Sequence, residues 1–510
     1  MSKMTNKNLI YKPNNRVVSS INEHRFEKIF ECGLKKEDFY NLPIANEQHD
    51  TTNITTIYFG AKSKQWEDTL SLSALSAFRA GIRVRYYGEK AKDELFIIDD
   101  NEKCVLEFKT HKNDSRSNSK TRIGNDSNLT FGEITEYLSS ITLNKVGKQH
   151  KRFEKLTPIL RSLVDDFDIT EITAIGAANY ERLHYIFASF RATIDFNIKY
   201  FVSCKKNTDI IMVQQNTGDK TIVEIKSTCA DENETVPIGQ EFINRLGCEV
   251  RQTTRTKAKA LKETLELYQP IFIEPELYEK SSYDWEITER EIKLDADKNP
   301  KDFISQCMES IKQNGLVAGK PRPNVNYQYI YNVGESGIVY MAKDLKGTKA
   351  VIKYKTHISH DRNTGALVRY EYVEPFSKET LDKATTFVGG NIDCDIQKSP
   401  FFCRDRLLCN IIFPHTRNVF EIYADHSYFI NTGKKNDFFQ VEIEYAGIVA
   451  DQKTNIKPSK QFIAKINKDF AVLAKIIPEQ FSNHGCKLHN SIRRKYDWVN
   501  KEFFLEKDNK

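Results

Sequence analysis

Val105-Leu-Glu-Phe-Lys-Thr-His111 alternates apolar with polar residues, and Val351-Ile-Lys-Tyr-Lys-Thr-His357 repeats the pattern in the second half of the chain. Successive side chains of a β-strand point to opposite faces, so Glu107 and Lys109 share a face, as do Lys353 and Lys355. The same spacing of two recurs outward from these stretches. The first half carries Arg25 and Glu27, Arg83 and Arg85, Lys120 and Arg122, and Glu224 and Lys226. The second carries Glu289, Glu291 and Lys293, then Arg369 and Glu371, Arg404 and Arg406, and Glu442 and Glu444. A single strand of this kind reads as the wetted face of an antiparallel sheet. Over the whole set, like charges on one open face repel, whereas a closed barrel of about eight strands turns that face inward around a polyanion and metal ions. Apolar faces such as Ile82, Val84 and Tyr86, or Val223 and Ile225, then pack outward against helices.

A chain of 510 residues has length for two to four domains, and 29% charged with 39% hydrophobic residues is an ordinary soluble globular composition. The net charge of +6 is small beside 76 Lys plus Arg and 70 Asp plus Glu, so nucleic acid is not implied and any basic site is local. Ten cysteines without a CxxC pair argue for reduced thiols in a cytosol, and no stretch approaches the roughly 18 to 20 apolar residues of a membrane span. A soluble cytoplasmic protein is expected.

Strands are expected at 54–59, 82–87, 95–98, 104–110, 191–202, 210–214 and 221–227. A helix is expected over 131–140 behind a Thr130 cap, and a basic helix over 254–267. Residues 112–120 and 124–128 read as loops, and 268–282 as a boundary. Val223-Glu-Ile-Lys226 has its counterpart in Val441-Glu-Ile-Glu444, and basic segments close both halves at 251–262 and 491–498. Three matches in one order indicate duplication. The expected fold is α+β, with two tandem antiparallel eight-stranded β-barrel domains and helices packed outside. The domains are placed at 1–270 and 284–510, joined by a linker at 271–283.

Arg matches phosphate oxygens with its fork and Lys as a point charge, while paired Glu suit a hard divalent cation bridging those phosphates. The expected ligand is a metal-bound triphosphate or longer chain. A GxxxxGK[ST] loop is absent, and the eleven histidines show no HxxxH or HExxH spacing, so His111 and His357 read as structural or rim residues. No Ser or Cys nucleophile sits in a motif, which leaves direct in-line phosphoryl transfer. The basic helix reads equally as a solvated face or a nucleic-acid patch, and is assigned to the tunnel exit.

Glu289-Arg-Glu-Ile-Lys293 has the ExExK form of the triphosphate tunnel metalloenzymes, the CYTH superfamily, and the second half resembles that family. Val368-Arg-Tyr-Glu371, Arg404-Asp-Arg406, Phe420-Glu-Ile-Tyr-Ala-Asp425 and Val441-Glu-Ile-Glu444 follow in its order. The first half is similar to the polyphosphate polymerase (VTC) domain of the vacuolar transporter chaperone complex. It matches at Thr56-Ile-Tyr-Phe59, Arg83-Val-Arg-Tyr-Tyr-Gly88, Glu107-Phe-Lys-Thr-His111, Lys120-Thr-Arg122, Tyr180-Glu-Arg182, Arg191-Ala-Thr-Ile-Asp195 and Val223-Glu-Ile-Lys226. The resemblance implies catalytic phosphate contacts from Arg83, Arg85, Lys109, Lys120, Arg182 and Arg191. It implies further substrate contacts from Arg25, Arg122, Lys226 and Lys257, the last on the closing helix, and in the second half from Lys293, Lys355, Arg369, Arg404 and Arg406. Metal, manganese or magnesium (Mn2+ or Mg2+), is expected on Glu224 with Glu27 and Glu107, and on Glu289, Glu291, Glu442 and Glu444.

Two departures set the halves apart. In Arg25-Phe-Glu-Lys-Ile29 the expected Lys is one position out of register, so Lys28 should face outward. In the second half the expected Arg pair is replaced within Val339-Tyr-Met-Ala342, and Glu421 stands where the first half has Arg191. The first domain is therefore expected to be catalytic and the second degenerate, regulatory or altered in substrate. The implied function is an ATP-dependent polyphosphate polymerase; water as acceptor makes the site a triphosphatase and the ribose hydroxyl makes it a cyclase. A non-catalytic sensor of polyphosphate or triphosphate is the reading from a different class. Expected partners are ATP or another nucleoside triphosphate and inorganic polyphosphate or triphosphate, with nucleic acid disfavoured.

Overall fold

The computed structural model describes residues 21–504 except 25–26, 48, 65–79, 89–92, 112–116, 124–128, 144–152, 155, 167, 188–189, 207, 219, 228–239, 275–287, 334–336, 361–363, 393–395, 433–436 and 452–458. The chain forms two compact units, Met1–Pro270 and Ile271–Lys510.

The first unit is built from β1 (Ile21–His24), β2 (Glu27–Cys32), β3 (Asp50–Ser63), β4 (Ala80–Gly88), β5 (Leu95–Ile97), β6 (Val105–His111), β7 (Ser117–Ile123), β8 (Ile169–Ile186), β9 (Phe190–Lys206), β10 (Asp209–Thr217), β11 (Thr221–Ser227) and β12 (Val250–Thr253). Neighbours run β1-β7-β6-β4-β3-β8-β9-β11-β2-β12, and each adjacent pair is antiparallel. Only residues 25–26 separate β1, which pairs with β7, from β2, which pairs with β11, so the sheet returns to the segment where it began.

The second unit comprises β13 (Pro270–Ile273), β14 (Thr288–Ala296), β15 (Val317–Ala318), β16 (Arg322–Tyr331), β17 (Ile338–Ala342), β18 (Val351–His360), β19 (Leu367–Pro375), β20 (Phe402–Ile412), β21 (Asn418–Phe429), β22 (Phe438–Asp451) and β23 (Leu488–Ser491). Here β22-β21-β20-β16-β17-β18-β19-β14 closes into an eight-stranded antiparallel barrel through the β14–β22 pairing.

Alternation divides each strand as the sequence indicates. Ile57, Phe59, Ile82, Val84, Leu106 and Phe108 lie in one cluster with Phe131, Ile134 and Leu138 of the helix Phe131–Thr142 and Leu160 of Thr157–Asp166. Thr130 and Glu133 form a reciprocal capping box at the start of the first of these helices. In the second unit, Ile292, Ile422 and Ile443 pack with Met308 of the helix Ile304–Gln313 and with Phe470 and Leu473 of Lys460–Asn483. Among the described residues no helix is long and apolar enough to cross a membrane.

Four expectations need correction or completion. Residues 117–120, read as loop, open β7, because their charged alternation pairs with β6. The 18-residue strand β8 and the helix Thr157–Asp166 add to the expected elements. Residues 271–273, assigned to a linker, belong to β13, which pairs with β22. The loop at 124–128 lies outside the described residues.

Nor do all helices pack outside. The helix Lys257–Leu267 places Ala260 and Leu261 among Tyr58, Ala178, Tyr180, Tyr200 and Ile222, on the face that carries Arg83 and Glu224. Gly176 leaves room for it: a Cβ there falls 2.7 Å from the Phe201 carbonyl and 3.0 Å from Leu261. In the second unit Trp498, on the helix Lys495–Val499, stacks on Phe429 at 4.3 Å and meets Phe402 edge-on at 5.5 Å. Phe402 shares the inner face with Arg404 and Arg406. Each closing helix therefore fills one end of its sheet's charged interior.

Candidate functional site

In the first unit, Arg83 stands opposite Tyr58 and Glu107, and Arg85 opposite Thr56 and Val105. Glu107 is fully buried, accepts from Arg83 Nε at 2.7 Å and lies 3.4 Å from Arg85 Nη1. Arg85 is 8% exposed, and among the described residues its buried Nε has no hydrogen-bond partner. Across the sheet, Arg182 holds Asp195 with a fork, Nε to Oδ1 at 2.5 Å and Nη2 to Oδ2 at 2.6 Å. Lys257 donates to Asp195 and, at 2.9 Å, to Glu224, which also accepts from Lys226 at 2.7 Å. Arg191 pairs in register with Lys226.

The second unit builds the same core with different surroundings. Arg404 and Arg406 both donate to Asp425 and Glu442, and Lys293 and Lys495 reach Glu442 at 2.6 and 2.8 Å. Arg369 donates to Glu289 at 3.0 Å and to Glu291, while Lys355 donates to Glu289 at 2.6 Å. All of these except Asp425 line a cavity of about 1000 Å³ with Lys353, Glu444, Val339 and Met341.

Register aligns the two interiors. Arg182 opposite Thr52 and Asp195 matches Arg406 opposite Asn324 and Asp425, so Lys257 corresponds to Lys495 and Glu224 to Glu442. Val339 and Met341 then occupy the places of Arg83 and Arg85. Glu421 and Glu444 take those of Arg191 and Lys226, and Ile29, opposite Glu224, takes that of Lys293. Lys28 pairs opposite Ile225, on the apolar face, as its parity requires.

The family model of the VTC domain matches residues 6–256. The first unit carries a VTC domain. None of the curated proteins compared with the chain matches it. Solved structures similar to it include a putative adenylyl cyclase from Hippeastrum described as having a dominant triphosphatase activity, at 12% identity over 46% of this chain and 94% of that one, with a TM-score of 0.29. A putative adenylate cyclase from Bacillus halodurans aligns at 12% identity over 47% of this chain and 98% of its own, TM-score 0.27. An RNA triphosphatase from S. pombe aligns at 10% identity over 44% and 82%, TM-score 0.20.

Within the VTC domain the structure brings Arg182, Lys226, Lys257 and Glu224 into one ion-pair network, and Arg83, Arg85 and Glu107 into a second. Arg25 lies outside the described residues, as do the side chains of Glu27, Lys109, Lys120 and Arg122. The expected metal ligands Glu107, Glu224, Glu289, Glu291 and Glu442 all accept from, or lie against, Arg or Lys, and among the described residues no three His, Cys, Asp or Glu side chains group to hold a metal ion. The spacing of two identifies the shared face, but the bases on neighbouring strands meet those acids first. As arranged, the described carboxylates of this set in the VTC domain, Glu107 and Glu224, are engaged by Arg and Lys rather than grouped around a shared space.

Sequence reasoning does not single out Lys495 or Asp195, although Asp195 shares the parity of Arg191 and Lys495 lies in the basic segment matching that of Lys257. Equivalent lysines titrate in opposite directions. Burial opposes charging of both, but Asp195 and Glu224 hold Lys257 well above the usual lysine range. For Lys495, burial and the adjacent Arg404 bring the ammonium down to about 7. The cause is in the register: Tyr180 stands in the place of Arg404 and Ile29 in that of Lys293, so Lys257 shares its acids with fewer cations. Burial raises the Tyr180 phenol, yet Arg182, Arg85 and Lys257 pull it below its ordinary value.

Burial and Lys355 also bring Lys353 down to about 7, while burial, with Glu289 and Glu421 nearby, pushes Glu444 up to about 7. All three groups take up a proton as pH falls through that value, the two lysines becoming cationic and Glu444 neutral. Sulfate, whose own charge is constant in this range, is expected to bind the second barrel on the order of a hundredfold more tightly at about pH 6 than at about pH 8, the three charge changes contributing on the order of 1 kcal/mol each. Calorimetric titration at the two pH values checks this, and equal affinities contradict it.

Proposed function

We propose that the VTC domain transfers the terminal phosphoryl group of a nucleoside triphosphate, ATP first among them, to a growing inorganic polyphosphate chain. The observation that carries the reading is a surplus of cations along the inner face. Among the described residues Arg83, Arg85, Arg182, Arg191, Lys226 and Lys257 outnumber the carboxylates Glu107, Asp195 and Glu224 on one inner face. A guanidinium such as Arg85, desolvated and incompletely paired, binds a phosphate oxygen strongly because the anion returns the contacts that burial removed. In the transfer, a terminal oxygen of the acceptor chain attacks the γ-phosphorus in line. The bond to the β-bridging oxygen breaks, and the nucleoside diphosphate leaves with that electron pair. The protein's part is to hold both phosphate groups in line and to neutralise charge at the transferring group.

Manganese or magnesium belongs to the proposal as the ion that accompanies the nucleotide, supplying charge neutralisation when bound. The second reading, a triphosphatase with water as acceptor, draws on the helix Lys257–Leu267. With Ala260 and Leu261 seated in one end of the interior, a polymer has to leave by the other end or displace the helix, whereas free phosphate does not.

Competition by chain length tests the reading. Inorganic triphosphate and longer chains should compete with ATP more strongly than ADP, and ADP more strongly than AMP, because each added phosphate meets further Arg or Lys. Adenosine competing as well as triphosphate would mean that the base, rather than the phosphate chain, supplies most of the affinity, and would sink the reading.

A further inference from the structure

Two cysteines meet at the edge of the first unit's sheet. Cys32 ends β2 on the apolar face, buried among Phe30, Val223 and Phe242. β12 pairs with β2 so that Val250 stands opposite Cys32. Cys248, two residues before Val250, packs against the same cluster, and its thiol lies within hydrogen-bonding reach of the Cys32 thiol. Gly247, at a φ of 65°, makes the turn that brings Cys248 in. Of the eight cysteines among the described residues, seven are buried and Cys248 alone is partly exposed. An oxidant therefore reaches this pair through Cys248.

We infer that Cys32 and Cys248 are an oxidant-sensitive thiol pair, and that their disulfide ties β12, and through it the closing helix, to β2. Among the described residues β12 pairs with β2 alone, and three residues separate it from the helix Lys257–Leu267. In the reduced protein this short edge strand is held by backbone pairing and apolar contact, which local opening releases; a covalent tie at Cys32 suppresses that opening. The co-reactant is hydrogen peroxide. The Cys248 sulfur attacks one peroxide oxygen, the O–O bond breaks, and the other oxygen leaves as water with the thiol proton, giving a sulfenic acid. The Cys32 sulfur then attacks the Cys248 sulfur, the S–O bond breaks, and the hydroxyl leaves as water with the Cys32 proton. Two thiols lose two electrons and the peroxide becomes two waters. Burial pushes the Cys32 thiol up to about 12, so Cys32 is a poor target for an outside oxidant and acts second, where contact with Cys248 makes up for its small thiolate fraction. The inference concerns the anchoring of β12 and does not depend on the polymerase reading of the VTC domain.

The full chain, reduced and then treated with hydrogen peroxide, is alkylated at its remaining thiols, digested and analysed by peptide mass spectrometry. A linked Cys32–Cys248 peptide is expected, lighter than its two parts by two hydrogens and released by dithiothreitol. Cys32→Ala should leave Cys248 as a sulfenic acid that dimedone traps, and Cys248→Ser should leave Cys32 unoxidised at the same dose. Hydrogen exchange at residues 250–253 should slow roughly tenfold or more in the linked protein, and stay unchanged in Cys248→Ser treated alike. Resistance of Cys248 to peroxide, a disulfide from Cys248 to any other cysteine, or unchanged exchange in the linked protein overturns the inference.

Discussion

Replacing Arg83 and Arg85 together by Ala is expected to lower phosphoryl transfer by several orders of magnitude, since each preorganised contact to a developing charge is typically worth roughly 10²- to 10³-fold in rate. Both guanidinium groups come from β4, two residues apart, and both lean on the single carboxylate of Glu107. One acid shared by two arginines leaves them undercompensated, which is the electrostatic condition for gripping an anion. Their removal also strands Glu107, which is fully buried. Arg83→Ala, Arg85→Ala and Glu107→Gln combined should therefore restore folding without restoring rate. Initial rates with ATP, set beside circular dichroism of both variants, separate the two effects. A refolded triple variant with native turnover would remove these arginines from the reaction.

Asp195→Asn should give the largest loss of stability. Asp195 is fully buried and holds Arg182 and Lys257 at once, and those two cations, with burial opposing them, keep its carboxyl below the usual range. Neutralising the acid leaves two buried cations with Glu224 as their remaining acidic partner among the described residues, and breaking a buried pair in this way typically costs about 3–5 kcal/mol. At about 2–4 °C per kcal/mol for a unit of this size, the melting temperature of the VTC domain should fall by roughly 6–20 °C. The same contact contributes above the acid's unfolded pKa and is lost as pH falls through its depressed folded value, so the variant and native protein should converge in stability in strong acid. Unchanged thermal melting at neutral pH would show that Asp195 is not a keystone of the network.

Much of this interior is legible in the sequence because strand parity is a local rule. Glu107, Arg83 and Arg85 fall on one face from their own spacing, and β4 and β6 bring them together as that spacing requires. The duplication is readable for the same reason, as is the loss of the arginine pair at Val339 and Met341. Parity does not say which residue on the next strand a side chain meets. Five of the carboxylates expected to hold metal, Glu107, Glu224, Glu289, Glu291 and Glu442, therefore emerge as partners of Arg and Lys, and Asp195 and Lys495 become visible only once β9, β21 and the closing helices are in place. The plugging helices are hidden too, since Ala260, Leu261 and Trp498 are ordinary apolar residues whose position depends on the sheet they enter. β7 is half concealed in a Ser- and Asn-rich stretch, where composition outweighs the alternation of Lys120 and Arg122.

Incubating the full chain with ATP and manganese, and resolving polyphosphate, free phosphate and cyclic nucleotide in the products, tests the central claim most directly when native protein is run beside two variants. Polyphosphate should form in the native protein, vanish with Arg83→Ala and Arg85→Ala, and persist with Glu289→Gln and Glu291→Gln. Turnover that survives the arginine changes and is lost with the glutamate changes would place the reaction in the second barrel and contradict the account.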